Sequence, residues 1–405
     1  MADQSKIPFD STINNTLKVS LREVSDDKTF FSMFLSSNFT HDQTIATDEE
    51  SAEDFAVTRI GVKPVFNPSP LASEERFEVK SKLGEGGAGR VMLAVDKDIH
   101  RNVAVKFFKG ENVALLNCRR EIQINGKIDH PGVPPVHDVG VGVDGTYYLV
   151  MKYVDGETLG NVIKKLQMGD EETHAKYSFA RRAELMVQLL RILVETHKNG
   201  IIHRDIKPEN LLIDSTGHLY LMDWGISLDL SKEKGNEFFC GTPKFMSPEQ
   251  VDREVLDGRS DLYSTCAVFY EFFCLFHYLP KPQDLPELFS FIREEKPVPM
   301  DLRPHLTQGC APSEYAWFVQ KGLNKKVEDR HPSAQQMLDE LVAIQSGEFS
   351  GKCHRTRIKS KVYVFNRWLD KNPYQNVYTF YAFIVFVLLL MVFIGFLLGR
   401  LSFFG

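Results

Sequence analysis

No two cysteines of this chain stand as a Cys-x-x-Cys pair: Cys118, Cys240, Cys266, Cys274, Cys310 and Cys353 are scattered. That spacing argues against a zinc site or a disulfide framework and reads as mostly buried thiols in a reducing compartment. The first residues, MADQSKIPFD, lack the basic stretch and apolar core of a signal peptide. Internal repeats are absent, and so is any basic stripe interleaved with aromatics. With a net charge of −6 and a pI near 6.1, no general attraction to nucleic acid is expected. Apolar residues are not lacking. They make up 43% of 405 residues, enough for a large core, and the length suggests two or three domains.

The pattern changes along the chain. Residues 1–74 are polar and acid-rich, include HDQTIATDEESAED and end in the breaker-rich VFNPSPLAS. They are expected to form a flexible arm, with the apolar patch Phe30 to Leu35 as a short helix or docking motif. From Arg76 the runs RFEVKSKL, RVMLAVD and NVAVKFF read as strands. A helical stretch around LLNCRREIQINGKI follows, then strands near PPVHDVG and YYLVMKYV. Beyond Gly156, AELMVQLLRILVETHKNG, DLYSTCAVFYEFFCLF and PSAQQMLDELVAIQ carry apolar residues at helical spacing. A strand-rich half followed by a helix-rich half predicts two lobes over 75–346. Residues 347–375 form a basic linker. In 376–399, the run from Val377 to Gly399 carries no charge, and as a helix it would extend about 34 Å against a hydrocarbon core of roughly 30 Å. A transmembrane helix is therefore expected there, followed by a short tail, 400–405, and so inserted after translation. Basic residues before the span predict that the rest of the chain faces the cytoplasm and touches membrane lipid.

Four strings carry chemistry. Gly84-Glu85-Gly86-Gly87-Ala88-Gly89-Arg90-Val91 would let backbone N–H groups approach phosphate oxygens. A dinucleotide loop would open a helix, whereas RVMLAVD is strand-like. Val103-Ala104-Val105-Lys106 follows, and its lysine could reach phosphates under that loop, held by Glu121 on the next helix. His203-Arg204-Asp205-Ile206-Lys207-Pro208-Glu209-Asn210 gathers an acid to accept a hydroxyl proton, a lysine to neutralise phosphate and an amide to hold a cation. Asp223-Trp224-Gly225, after HLYLM, offers a second ligand for that cation.

This ordered set resembles the eukaryotic-type Ser/Thr protein kinase family in its bacterial branch. The likeness covers about residues 76–345 and extends to Ser247-Pro248-Glu249, to Asp261 in SDLYS and to Arg330 in EDRHPSA. It implies an α+β, two-lobed protein-kinase fold: a small β-rich N-lobe and a large helical C-lobe, here with the C-terminal transmembrane helix added. It further implies transfer of the γ-phosphoryl group of ATP to protein hydroxyls, with Mg2+ as cofactor and Mn2+ as a substitute. By position, Asp205 would accept the substrate proton, Lys207 would steady the γ-phosphate, and Lys106, paired with Glu121, would bind the α/β-phosphates. Asn210 and Asp223 would hold the metal. Gly84, Gly86 and Gly89 would cover the phosphates. Val91, Ala104 and Leu212 would sandwich adenine, the backbone of Lys152 and Val154 would meet its edge, and Met151 would be the gatekeeper. Thr242 and Lys207 near Asp205 favour Ser/Thr as acceptor. Partners implied are protein substrates and membrane lipid, no nucleic acid, with a homodimer left open.

Several positions depart from the family pattern. Trp224 replaces Phe, Ser247 replaces Ala, Cys266 stands where Gly is usual, and Asn125 stands where an apolar residue is often found. The last puts the inward position of the Glu121 helix in question. Between Asp223 and Gly241 there is no threonine, so no phosphothreonine of that stretch is expected to regulate, and Arg204 is left a phosphate on Ser231 or an acidic residue such as Glu233 or Glu237 as partner. Two competing functions share the fold. A pseudokinase scaffold would bind nucleotide without transfer. A small-molecule phosphotransferase would usually lack the Ser-Pro-Glu segment and the Glu249–Arg330 pair.

Overall fold

A computed structural model describes residues 76–86, 89–109, 111–142, 144–231 and 240–348, and beyond these only 358, 361, 362, 365, 384–387 and 389. The arm 1–74 lies outside them. The chain divides into two units, Met1–Asp339 and Glu340–Gly405, and the site belongs to the first.

Strands β1 (Phe77–Glu85), β2 (Gly89–Asp96), β3 (Arg101–Phe108), β4 (Val136–Val141) and β5 (Tyr147–Lys152) form one antiparallel sheet, ordered β1-β2-β3-β5-β4. Alternation in β3 decides its two faces. Val103 and Val105 pack with Phe77, Ala94, Tyr148 and Val150 on one side. Ala104 and Phe108 pack with Leu149, Met151 and Cys118 on the other. Cys118 belongs to α1 (Glu111–Asn125), so that helix covers the second face. Lys106 has the parity of Ala104 and therefore points at α1 rather than at water.

The second lobe opens with β6 (Gly156–Thr158) and three helices: α2 (Leu159–Gln167), α3 (Glu171–Lys176) and α4 (Phe179–Lys198). Short strands β7 (Ile201–Ile202), β8 (Leu211–Asp214), β9 (Leu219–Leu221) and β10 (Leu228–Asp229) follow. They pair as β6-β8-β9 and β10-β7. Then come α5 (Pro248–Val251), α6 (Gly258–Cys274), α7 (Leu285–Glu294), α8 (Ser313–Gly322) and α9 (Ala334–Gln345). From Ser260 to Cys274 every residue of α6 except Glu271 is buried, so α6 is the axis of this lobe. Cys266, where Gly is usual, fits because its neighbour is Gly322: a Cβ there would lie 2.2 Å from the Cys266 Sγ. Cys118, Cys266 and Cys274 are buried, while Cys240 is half-buried and Cys310 exposed.

One ion pair closes the lobe. Arg330 donates to both carboxylate oxygens of Glu249, at 2.7 and 2.8 Å, with both side chains buried. Ser260 Oγ donates to Glu249 Oε1 at 2.7 Å, and Arg330 also reaches the carbonyls of Asn324 and Lys325. Ser247, in place of Ala, donates its N–H to Gln250 Oε1 at 3.0 Å and caps α5.

The expected transmembrane helix at 376–399 is overturned. Among the described residues no helix is long and apolar enough to cross a membrane. Apart from the few positions given above, 376–399 and the tail fall outside the described residues. With the helix go the membrane-lipid partner and the localisation as a membrane-anchored chain with a cytoplasmic catalytic domain. The two-lobed α+β fold stands.

Because Glu249 would be left buried and uncompensated, Arg330→Ala should destabilise the fold by about 3–5 kcal/mol in denaturant unfolding. Burial pushes the Glu249 carboxyl up, but Arg330 outweighs it and holds the pKa below its ordinary 4.5. That stabilisation is complete above 4.5 and is lost as pH falls through the lower folded value. The variant should lose this acid-side dependence.

Candidate active site

Lys106 Nζ sits 2.7 and 3.0 Å from the two Glu121 oxygens and 2.8 Å from Asp223 Oδ1. Lys106 and Glu121 are 6% and 3% exposed. Burial opposes the ammonium, but the two carboxylates outweigh it and hold Lys106 above its ordinary value. Burial likewise pushes Asp223 up, and Lys106 reverses this so that Asp223 is held low. Two carboxylates around one ammonium leave one negative charge in excess. Asp223 is the carboxylate open to the cleft, with 43% of its side chain exposed. Asn125 does not disturb the arrangement: its Nδ2 donates to the Glu121 carbonyl at 3.0 Å, inside its own helix.

The loop between β7 and β8 carries the second group. Asp205 Oδ2 accepts from Lys207 Nζ at 2.6 Å and from Asn210 Nδ2 at 3.1 Å, and its Oδ1 accepts from Thr242 Oγ1 at 2.7 Å. Lys207 Nζ also donates to Thr242 Oγ1 at 2.9 Å. The loop takes this course because Asp261, buried in the first turn of α6, accepts the backbone N–H groups of His203 and Arg204, both at 2.9 Å. His197 Nε2 lies on the same carboxylate, at 2.9 Å. Arg204 and Asp223 have φ of +67° and +63°, a region side chains rarely adopt. Trp224 fills the place of Phe: it is buried, donates Nε1 to the Leu221 carbonyl at 3.2 Å, and meets His203 edge-on at 4.7 Å. Arg204 Nε bonds the Ile226 carbonyl at 2.6 Å, whereas Ser231 Oγ turns to Asp229. Glu233 and Glu237 lie outside the described residues.

Above these groups lies the glycine turn, with the Gly86 N–H donating to the Gly89 carbonyl at 2.9 Å. Gly89 is forced by the fold, since a Cβ there would stand 2.0 Å from the Phe107 carbonyl oxygen. At Gly84 and Gly86 a Cβ would meet nothing within 4 Å. Val91, opposite Lys106 in the sheet, packs on the cluster of Ala104 and Met151, and Ala104 faces Met151 across β3 and β5. Leu212 is not in that cluster. It lies on β8 opposite Tyr220, whose hydroxyl accepts Lys152 Nζ at 2.9 Å. The Lys152 N–H donates to the Pro135 carbonyl at 3.0 Å. Val154 is buried just beyond.

The residues fit a divalent cation carried with phosphate. Asn210 spends its Nδ2 on Asp205, at 2.8 Å from the carbonyl and 3.1 Å from Oδ2, which keeps its Oδ1 as the acceptor to offer. With Asp223 this makes a pair of hard oxygen donors, as Mg2+ prefers. Among the described residues no group of three or more His, Cys, Asp or Glu could hold a metal alone. Phosphate oxygens would have to complete the shell.

Among the contacts that sequence reasoning missed is the ion pair of Lys127 with Asp229 at 2.5 Å. No motif marks it, because the partners are 102 residues apart.

Comparison with known proteins agrees with this geometry. The family model described as the protein kinase domain matches residues 77–342. The serine/threonine-protein kinase PknB of Mycobacterium tuberculosis is 33% identical over 294 residues, covering 69% of this chain and 44% of that protein. PknB of Mycobacterium leprae is 32% identical over 292 residues, with the same shares. A probable serine/threonine-protein kinase of Streptomyces coelicolor is 31% identical over 284 residues, 67% of this chain and 40% of that one. The chain thus spans less than half the length of these curated relatives.

The two kinds of glycine separate in a stability measurement. Gly89→Ala should lower unfolding free energy by about 1–3 kcal/mol, through overpacking against Phe107. Gly86→Ala should stay within about 0.5 kcal/mol of wild type, as open surface positions do.

Proposed function

Since the chain belongs to the protein kinase family, whose catalysis generally depends on ATP and Mg2+, we propose that it transfers the γ-phosphoryl group of ATP to serine and threonine hydroxyls of proteins. The observation that carries this reading is at Asp205. A threonine hydroxyl, that of Thr242, already donates to its Oδ1, while Lys207 bonds Oδ2 and the same hydroxyl oxygen. An aliphatic hydroxyl, a carboxylate acceptor and an ammonium thus meet in the relation phosphoryl transfer to serine or threonine requires.

In this reading the acceptor hydroxyl replaces Thr242 at Asp205. Its oxygen bonds the γ-phosphorus as the bond to the departing ADP oxygen breaks, and its proton passes to the carboxylate. Lys207 balances charge on the transferring group. Lys106, fixed by Glu121, holds the α/β-phosphates, and the open turn at Gly84 and Gly86 admits them beneath backbone N–H groups. Asn210 and Asp223 hold Mg2+, or Mn2+ with the same oxygens. When bound, that ion supplies positive charge against the phosphates. Val91, Ala104 and Leu212 enclose the base, Met151 lies at its back, and Lys152 and Val154 offer backbone groups to its edge.

Lys106→Met and Asp205→Asn should each lower labelling of protein substrates from γ-phosphate-tagged ATP by about 10²–10³-fold, the usual loss of a positioned transition-state group. Activity within about tenfold of wild type in either variant would remove that residue from the mechanism. Asp223→Ala should abolish metal-dependent transfer. Normal turnover at ordinary Mg2+ would make Asp223 a turn residue only. Mass spectrometry of the products should place phosphate on serine or threonine.

A further inference from the structure

The missed ion pair lies on the far side of the residues that hold Lys106. Lys127 follows α1 without a break: Gly126 and Lys127 donate their N–H groups to the Ile122 and Ile124 carbonyls at 2.9 and 3.0 Å. Its Nζ reaches Asp229 Oδ2 at 2.5 Å. The Asp229 carboxylate is 6% exposed, and its Oδ1 accepts from the Ser231 N–H and Oγ at 3.1 and 2.6 Å. A second cation of α1 reinforces this link, with Arg120 Nε donating to the Ser227 carbonyl at 3.1 Å.

The strand they grip is anchored to the catalytic loop. Leu228 and Asp229 pair with Ile202 and Ile201, Leu230 N–H bonds the Gly200 carbonyl, and Ser227 Oγ reaches the His203 carbonyl. A closed circuit results. Lys106 binds Glu121 on α1, Lys127 at the end of α1 binds Asp229, and the chain returns through Asp223 to Lys106. Without that ion pair the C-terminal end of α1 loses its charged tie to β10, while Arg120 keeps the Ser227 carbonyl and Glu121 keeps Lys106; Asp223 can still hold Lys106 if Glu121 leaves.

We propose that Lys127 and Asp229 are positioning residues, whose ion pair fixes α1 against β10 and thereby keeps Glu121 on Lys106. The effect on catalysis rests on the kinase reading above. The effect on α1 does not. The burial that opposes the Asp229 charge is outweighed by Lys127 and Ser231, which hold its carboxyl below the ordinary value, so loss of Lys127 leaves a buried charge looking for a new partner.

The test uses the full chain as Lys127→Met, Lys127→Arg and Asp229→Asn. In Lys127→Met and Asp229→Asn, kcat/KM should fall by about tenfold, an ordinary coupling between sites, with the ATP KM rising. Lys127→Arg should restore both. In a Glu121→Gln background, Lys127→Met should add less than about twofold, because both act through one contact. Amides of α1 should exchange with deuterium faster in Lys127→Met and Asp229→Asn than in wild type. Unchanged exchange in both, or a full additional loss on top of Glu121→Gln, overturns the proposal. If the wild type transfers no phosphate, the kinase reading fails and the exchange measurement still decides the clasp. If Lys127→Met does not fold, Asp229→Asn, which keeps the shape of the side chain, carries the same readouts.

Discussion

The buried charge of Lys106 is the constraint around which the first lobe is organised. An ammonium taken out of water is tolerated only beside compensating groups. Those groups come from separate parts of the chain: Glu121 from a helix and Asp223 from the segment after β9. Sheet, helix and cleft floor must therefore come together for any of them to be satisfied. The sheet does its part through parity alone, since a slip of one residue in β3 would turn Lys106 to the opposite face. The excess carboxylate is not a flaw in the balance. It leaves the cleft floor negative where a cation is expected.

The second lobe provides a fixed frame for a strained loop. Arg204 and Asp223 both sit at positive φ, a conformation that persists only where surroundings over-determine it. For Arg204 the surroundings are the two oxygens of Asp261, at the N-terminal turn of a helix where a carboxylate is favoured. For Asp223 they are Lys106 and the packing of Trp224 on His203. A deep helix thus sets the direction of Asp205 through the backbone of its neighbours, while Asp205 itself stays at the cleft.

Much of this was legible in the sequence because the informative residues are close in sequence to their structural cause. The alternation of NVAVKFF, the loop from His203 to Asn210 and the helical spacing before it each predict their own local structure. Lys106 with Glu121 could be anticipated because one turn and one helix separate them. Lys127 with Asp229 could not, because an isolated lysine and aspartate 102 residues apart carry no local signal. At Asn125 polarity was visible in the sequence, but not the carbonyl of its own helix to which it donates. The Trp224 site depended on a facing histidine. At the apolar stretch near the C-terminus the hydropathy predicts a span, but among the described residues no helix is long and apolar enough to cross a membrane.

The contact of Cys266 with Gly322 has a consequence for how this core can evolve. The two positions share the volume of one side chain, since the sulfur occupies the space a Cβ at residue 322 would need. Neither can grow unless the other shrinks. A relative that keeps glycine in the α6 position has a vacancy that alanine or serine in α8 could fill. Among aligned members of the family the two positions should therefore drift as a couple, one small whenever the other is large, although neither touches the cleft.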